Sequence, residues 1–235
     1  MSNIWVTRPE PYGQALIRFL KEKGYQQVSY FPCLEIIPWP LMGWPKSDWL
    51  VITSQQTVNI LHQQIMGYQG PIFTVGPRTA QALKKLKLDV FYPQKNYTSK
   101  AMLDELFEEG FPKGVGLVLD GVPRETKLLS RLLAKGLDFE VRSCYQRKAV
   151  HWNHQHELCY QQGRPDYVVL TSYQSLQSYI NLVKSKPSLD FKLIKTIVVN
   201  EQMLGLACQE GIEVVSLAEG PEAVNLLKEL KYDQR

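Results

Sequence analysis

Short apolar runs with β character alternate with helical patterns along almost the whole of this 235-residue chain, and that alternation limits its fold more than any other feature. The predicted strands are Ile4–Thr7, Gln27–Phe31, Trp49–Thr53, Ile72–Val75, Asp89–Tyr92, Gly116–Leu119, Phe139–Arg142, Tyr167–Thr171, Thr196–Val199 and Glu213–Leu217. Between them run helical stripes. Leu16, Phe19 and Leu20 share one face and Gly24 can end their helix; Leu128, Leu129, Leu132 and Leu133 share another, stopped by Gly136. Leu176, Tyr179, Ile180 and Val183 make a third stripe, and Val224, Leu227 and Leu230 a fourth. Apolar strands joined by helices of this length imply parallel sheets with helices on both faces. Ten strands are many for one doubly wound sheet, so two sheets of about five are expected.

A degenerate internal repeat agrees with two domains. Asp48-Trp-Leu-Val-Ile-Thr-Ser54 resembles Asp166-Tyr-Val-Val-Leu-Thr-Ser172. Phe73–Leu106 runs parallel to Ile197–Leu230, and the opening β-α-β unit closing at Gly24 runs parallel to the one closing at Gly136. Two segments interrupt the pattern. Pro32-Cys-Leu-Glu-Ile-Ile-Pro-Trp-Pro40 is extended and bounded by prolines, and Ser143–Val150 is β-like before a polar stretch. Both read as connectors between domains, or as strands that run on into surface loops.

Composition removes several classes. Apolar residues make up 44% and charged residues 21% of the chain, which places it among globular proteins. A net charge of +4 suits an anionic small ligand and is too weak to argue for nucleic acid. The longest stretch without formal charge, Trp49–Pro77, is too rich in Gln, Ser and Thr to span a membrane. The segment Met1–Pro11 lacks the basic start and apolar centre of a signal peptide, and no two of Cys33, Cys144, Cys159 and Cys208 form a C-x-x-C pair. A cytoplasmic protein with reduced, mostly buried thiols is expected.

The chemically informative positions follow the strands. Thr53-Ser54, Gly76-Pro-Arg-Thr79 and Thr171-Ser172 each stand where a strand ends and a helix begins. Free backbone N–H groups, the positive end of the helix dipole and hydroxyl donors meet at such turns, a combination that holds carboxylates or phosphates. In parallel sheets these turns gather along one edge. Thr7-Arg8-Pro9 adds a cation at another strand end. Each Ser or Thr also reads as an ordinary helix N-cap; their recurrence in both repeats is what favours an anion-binding edge. Tyr145, on the second connector, is either a proton donor or an aromatic packed between domains. The chain has no G-x-x-x-x-G-K-[ST], G-x-G-x-x-G or G-x-S-x-G. His151 and His154 are spaced as metal ligands but have no carboxylate or thiol at a matching spacing, so no metal is expected.

Taken in order, Trp5-Val-Thr-Arg-Pro9, Gly24, Phe31–Pro38, Ile52-Thr-Ser54, Val75–Ala80, Tyr145-Gln-Arg147 and Leu170-Thr-Ser172 resemble the uroporphyrinogen-III synthases over nearly the whole chain. The resemblance implies two similar doubly wound α/β domains, 1–35 with 150–235 and 40–143, joined by a two-stranded linker at 36–39 and 144–149. It implies a cytoplasmic monomer without metal or organic cofactor that closes hydroxymethylbilane with inversion of the last pyrrole ring and loss of water. Contact with the enzyme that makes the bilane would be transient. Tyr145 aligns with the family tyrosine near the leaving hydroxyl. Arg8, Ser54, Gly76, Thr79, Arg147 and Ser172 fall where substrate carboxylates bind. Asn200-Glu-Gln-Met203 departs from the Gly-Pro-x-Thr turn many members carry there. The competing readings are a non-catalytic two-lobed cytoplasmic binding protein for a polycarboxylate, and a nucleotide-dependent enzyme, which the missing phosphate loops disfavour.

Overall fold

A computed structural model describes residues 2–110, 112–124, 126–186, 192, 194–212 and 214–232. The chain divides into two compact units, Met1–Ile36 with Lys148–Arg235, and Ile37–Arg147. The strands are β1 (Ile4–Val6), β2 (Val28–Tyr30), β3 (Leu34–Pro38), β4 (Trp49–Ile52), β5 (Ile72–Phe73), β6 (Val90–Phe91), β7 (Gly116–Val122), β8 (Phe139–Ala149), β9 (Tyr167–Val169), β10 (Lys195–Val198) and β11 (Val214–Leu217). The helices are α1 (Tyr12–Glu22), α2 (Gln55–Ile60), α3 (His62–Ile65), α4 (Pro77–Lys84), α5 (Ser99–Glu109), α6 (Thr126–Ala134), α7 (His154–Gln161), α8 (Tyr173–Lys184), α9 (Glu201–Gln209) and α10 (Ala223–Tyr232). Each predicted strand overlaps an observed one; most observed strands are shorter, whereas β7 and β8 run on to Val122 and Ala149, and Glu213 lies outside the described residues.

In the first unit the sheet order is β11-β10-β9-β1-β2, with every pair parallel. In the second it is β6-β5-β4-β7-β8, again parallel, with β3 beside β8 at the edge. The repeat maps these orders onto each other strand for strand. The second sheet therefore has six strands where about five were expected. The extra one is the proline-bounded segment 34–38. The hydrogen bonds Trp39 N to Cys144 O and Val150 N to Cys33 O bracket it, and their opposite progression makes β3 antiparallel to β8.

Side-chain alternation explains the layering. In the first sheet Trp5 and Val168 point to one face, where they pack with Leu176, Tyr179 and Ile180 of α8 and Met203 and Ala207 of α9. Ile4, Val6, Tyr167 and Val169 point to the other, against Leu16, Ile17 and Leu20 of α1 and Leu226 and Leu230 of α10. Strands buried on both faces read as unbroken apolar runs, as these do. In the second sheet Trp49, Val51, Phe73 and Val118 pack on Met102 and Leu103 of α5 and Leu128 and Leu132 of α6. The alternate residues Leu50, Ile52, Leu117 and Leu119 are also buried. Cys33, Cys144 and Cys159 are buried free thiols and Cys208 is exposed.

The histidine-containing stretch belongs to the start of α7. Asn153 caps that helix, accepting from the backbone N–H groups of Gln155 and His156. Its own N–H donates to Nδ1 of His156 at 3.1 Å, so Nε2 carries the hydrogen and donates to Pro32 O at 2.8 Å. The buried imidazole lies edge-on to Phe31, which stacks on Trp5 at 4.0 Å. Burial holds the pKa of His156 below its ordinary 6.5, opposed by the bond to Pro32. A histidine held neutral in the folded state binds fewer protons than in the unfolded state, so it stabilises fully above 6.5 and loses that contribution as pH falls from there through the lower folded value. Urea unfolding is expected to show a midpoint that declines between pH 7.5 and 5, with a smaller decline in His156→Asn.

Candidate active site

In both sheets the strand order reverses between two neighbours, β4 and β7 in the second unit and β9 and β1 in the first. Helices leave such a pair on opposite faces and leave a crevice at the carboxyl ends of the strands. In the second unit Ser54 follows β4 and caps α2, accepting from Thr57 N at 3.3 Å. Its Oγ lies 3.0 Å from the phenol oxygen of Tyr145 on β8. Arg147, two residues on, donates from Nη2 to the same phenol oxygen at 2.8 Å and from Nη1 to Pro123 O at 2.9 Å. Its guanidinium carbon is 5.0 Å from the Tyr145 ring centroid.

These residues meet because of register. The β7–β8 ladder slips between Asp120 and Gly121, which sets Gly121 opposite Tyr145. The Tyr145 ring lies directly on Gly121: a Cβ there would stand 2.3 Å from ring carbons. The ring is 1% exposed. Guanidinium groups only donate, so Arg147 occupies an acceptor site of the phenol and the phenol hydrogen is free to point at Ser54 Oγ.

Asp120 is a component that sequence reasoning missed. Its carboxylate is buried within β7, two residues before the strand ends, 3.6 Å from Arg124 Nε. Ser143 Oγ approaches it at 3.5 Å and accepts from Arg124 Nη2 at 2.9 Å. Burial pushes this carboxyl up from the usual range, against the pull of Arg124, Ser143 and Arg147. Arg124 is four residues on in the chain, but only the β7–β8 ladder brings Ser143 to Asp120.

Gly76 caps α4 with Pro77 as the first helical residue, and Thr79 is buried one turn in. Gln55 Nε2 donates to Arg78 O at 3.2 Å and so ties the start of α4 to that of α2. Gly76 has an ordinary extended φ of −128° and, among the described residues, open space where a Cβ would be.

In the first unit Thr7 Oγ1 donates to Val169 O at 2.8 Å and closes the end of the β1–β9 pair. Arg8 Nη1 donates to Pro221 O at 3.2 Å, with the guanidinium 5.6 Å from the Tyr12 ring centroid. Ser172 caps α8 through a capping box: its Oγ accepts from Ser175 N at 3.2 Å and donates to Ser175 Oγ at 3.0 Å. At the divergent turn Asn200 caps α9, its Oδ1 accepting from Met203 N at 2.9 Å, and Met203 is buried. Among the described residues no group of three His, Cys, Asp or Glu is placed to hold a metal ion, and no helix is long and apolar enough to cross a membrane.

The family model described as HEM4, uroporphyrinogen-III synthase HemD, matches residues 14–228. This chain belongs to the uroporphyrinogen-III synthase family. The uroporphyrinogen-III synthases of Escherichia coli K12 and Salmonella typhimurium LT2 are each 28% identical to it, over 97% of this chain and the whole of theirs. The crystal structure of uroporphyrinogen-III synthetase from Helicobacter pylori shares the fold with a TM-score of 0.69 at 18% identity, both chains covered completely. That of a mutant uroporphyrinogen III synthase from Thermus thermophilus gives 0.60 at 16% identity, over 98% of this chain and 97% of the other. The matched span contains Ser54, Gly76, Thr79, Tyr145, Arg147 and Ser172, whereas Arg8 precedes it.

The two glycines make opposite predictions. Gly121→Ala drives a methyl group into the Tyr145 ring and is expected to destabilise the chain by about 1–3 kcal/mol, as overpacking does. Gly76→Ala meets open space and should leave stability unchanged. Urea denaturation of the two variants beside the parent measures both.

Proposed function

We propose that the chain is a carbon–oxygen lyase that closes hydroxymethylbilane to uroporphyrinogen III in the cytoplasm, as a monomer supplied by transient contact with the enzyme that makes the bilane. The observation that carries this reading, beside the family membership, is the Ser54–Tyr145–Arg147 cluster at the reversal point of the second sheet.

Hydroxide is a poor leaving group, so the terminal hydroxyl of the bilane departs only as it is protonated. Tyr145 supplies that proton across Ser54: the phenol gives its hydrogen to Ser54 Oγ, and the serine gives its own to the departing oxygen. The buried position of the phenol and the 3.0 Å contact support this route. The C–O bond breaks with its electron pair on oxygen, water leaves, and the pyrrole nitrogen fills the vacancy to give an azafulvene cation. The substituted carbon of the last ring attacks that centre. The resulting spiro intermediate fragments and recloses with the ring inverted, and the hydrogen lost from the last ring restores the phenol.

Closure without inversion is the easier path, so most of the catalytic task is to hold the chain folded for the inverting attack. Positioning of this kind contributes several kcal/mol. The substrate carries eight carboxylates. Arg8, the turn at Gly76 and Thr79 and the capped start of α8 at Ser172 are proposed as their ligands. The open space over Gly76 supports the second of these; the Asn200 turn, whose Met203 N–H is already bonded, is not proposed as one.

The test generates hydroxymethylbilane in place, adds the chain, oxidises the product and separates the porphyrin isomers. Isomer III is expected, and isomer I alone would favour the binding-protein reading. Tyr145→Phe keeps the ring on Gly121 and removes the proton; turnover is expected to fall by about 10²-fold, the lower end for loss of a general acid.

A further inference from the structure

We infer that Arg147 is a positioning residue that acts through the phenol of Tyr145, and is not a direct ligand of a substrate carboxylate. The inference rests on the reading of Tyr145 as proton donor and deepens it.

Three contacts define the guanidinium. Nη2 donates to the Tyr145 oxygen at 2.8 Å, Nη1 to Pro123 O at 2.9 Å, and the guanidinium carbon lies 5.0 Å from the ring centroid. A two-point grip on a carboxylate needs two parallel donors from one edge of the fork. Here two of the five N–H donors, one on each terminal nitrogen, are already given to protein oxygens. The anchor is itself braced: Pro123 stands between Val122, the last residue of β7, and Arg124, which bonds Ser143 on β8 and faces buried Asp120.

The arrangement suits a proton donor. Because Arg147 can only donate, it removes the choice of direction from the phenol and leaves its hydrogen aimed at Ser54. When that hydrogen moves to Ser54 and on to the departing oxygen, negative charge develops on the Tyr145 oxygen 2.8 Å from a fixed cation. Electrostatic stabilisation set in place before charge develops is the effective kind. The fold does not require the pair: the repeat-related stretch Phe31–Glu35 in the first unit has neither tyrosine nor arginine.

A double-mutant cycle tests this, with Arg147→Met, Tyr145→Phe and the double variant assayed for kcat, KM and isomer ratio. Arg147→Met is expected to lower kcat at least tenfold with KM within about twofold. In the Tyr145→Phe background it should cost no more than about twofold further, since the oxygen it acts on is gone. Arg147→Lys, which keeps one donor and the charge, should recover part of kcat. Should Arg147→Met fold poorly by circular dichroism, Arg147→Lys and Arg147→Gln carry the same cycle. A raised KM with kcat unchanged, or losses that multiply in the double variant, would overturn the inference and leave the Tyr145 role intact. Full turnover in Tyr145→Phe would overturn both.

Discussion

Parallel pairing across the point of reversal is the constraint on which the rest of this protein depends. β4 pairs with β7, and β1 with β9, yet neither pair is joined by a single crossover. Right-handed connections then carry the helices that follow the two strands to opposite faces. Polar side chains lie at or near the carboxyl ends of these strands: Ser54 and Asp120 in one unit, Thr7 and Ser172 in the other. The bond from Thr7 to Val169 O shows how tightly this end is tied by side chains. The candidate site is placed by topology before any residue in it is chosen.

The two units share a strand order but not a chemistry. In the second, the chain runs β4 to β8 without interruption. In the first, the same order is assembled from β9–β11 and the opening β1–β2, and α1 packs against α10 across the join. Apolar alternation alone is enough to rebuild the layers, and it tolerates a break in the chain. The tyrosine, arginine and buried aspartate occur in only one copy, so they answer to something other than folding.

Much of this was legible in the sequence because it is local. Strands, the stripes of α1, α6 and α8, and the helix starts at Ser54, Gly76 and Ser172 depend on neighbours within one turn or one pleat. What the sequence could not convey is the pairing of distant strands. Ser54 and Tyr145 meet because β7 separates β4 from β8 and the ladder slips by one residue beside Gly121. Asp120 and Ser143 are partners in the regular register, one pair before that slip. The predicted strand stops at Leu119, short of Gly121, yet the lack of a side chain there is what seats the tyrosine ring. His151 and His154 show the reverse case: a spacing that suggested ligands resolves into an exposed helix start, while His156, the histidine that carries structural weight, has both ring nitrogens engaged by backbone.

The sparseness of the site follows from the proposed reaction. A step that needs modest acid assistance and extensive positioning can be served by one phenol, a hydroxyl and a cation to fix them, with the remaining affinity spread over helix starts and backbone donors. Backbone donors leave little trace in a sequence, because many residues can cap a helix and any residue supplies an N–H. The fold itself persists in a solved relative at 18% identity. In this chain the order of the strand ends sets out those donors, and ring, hydroxyl and guanidinium converge beside one of them.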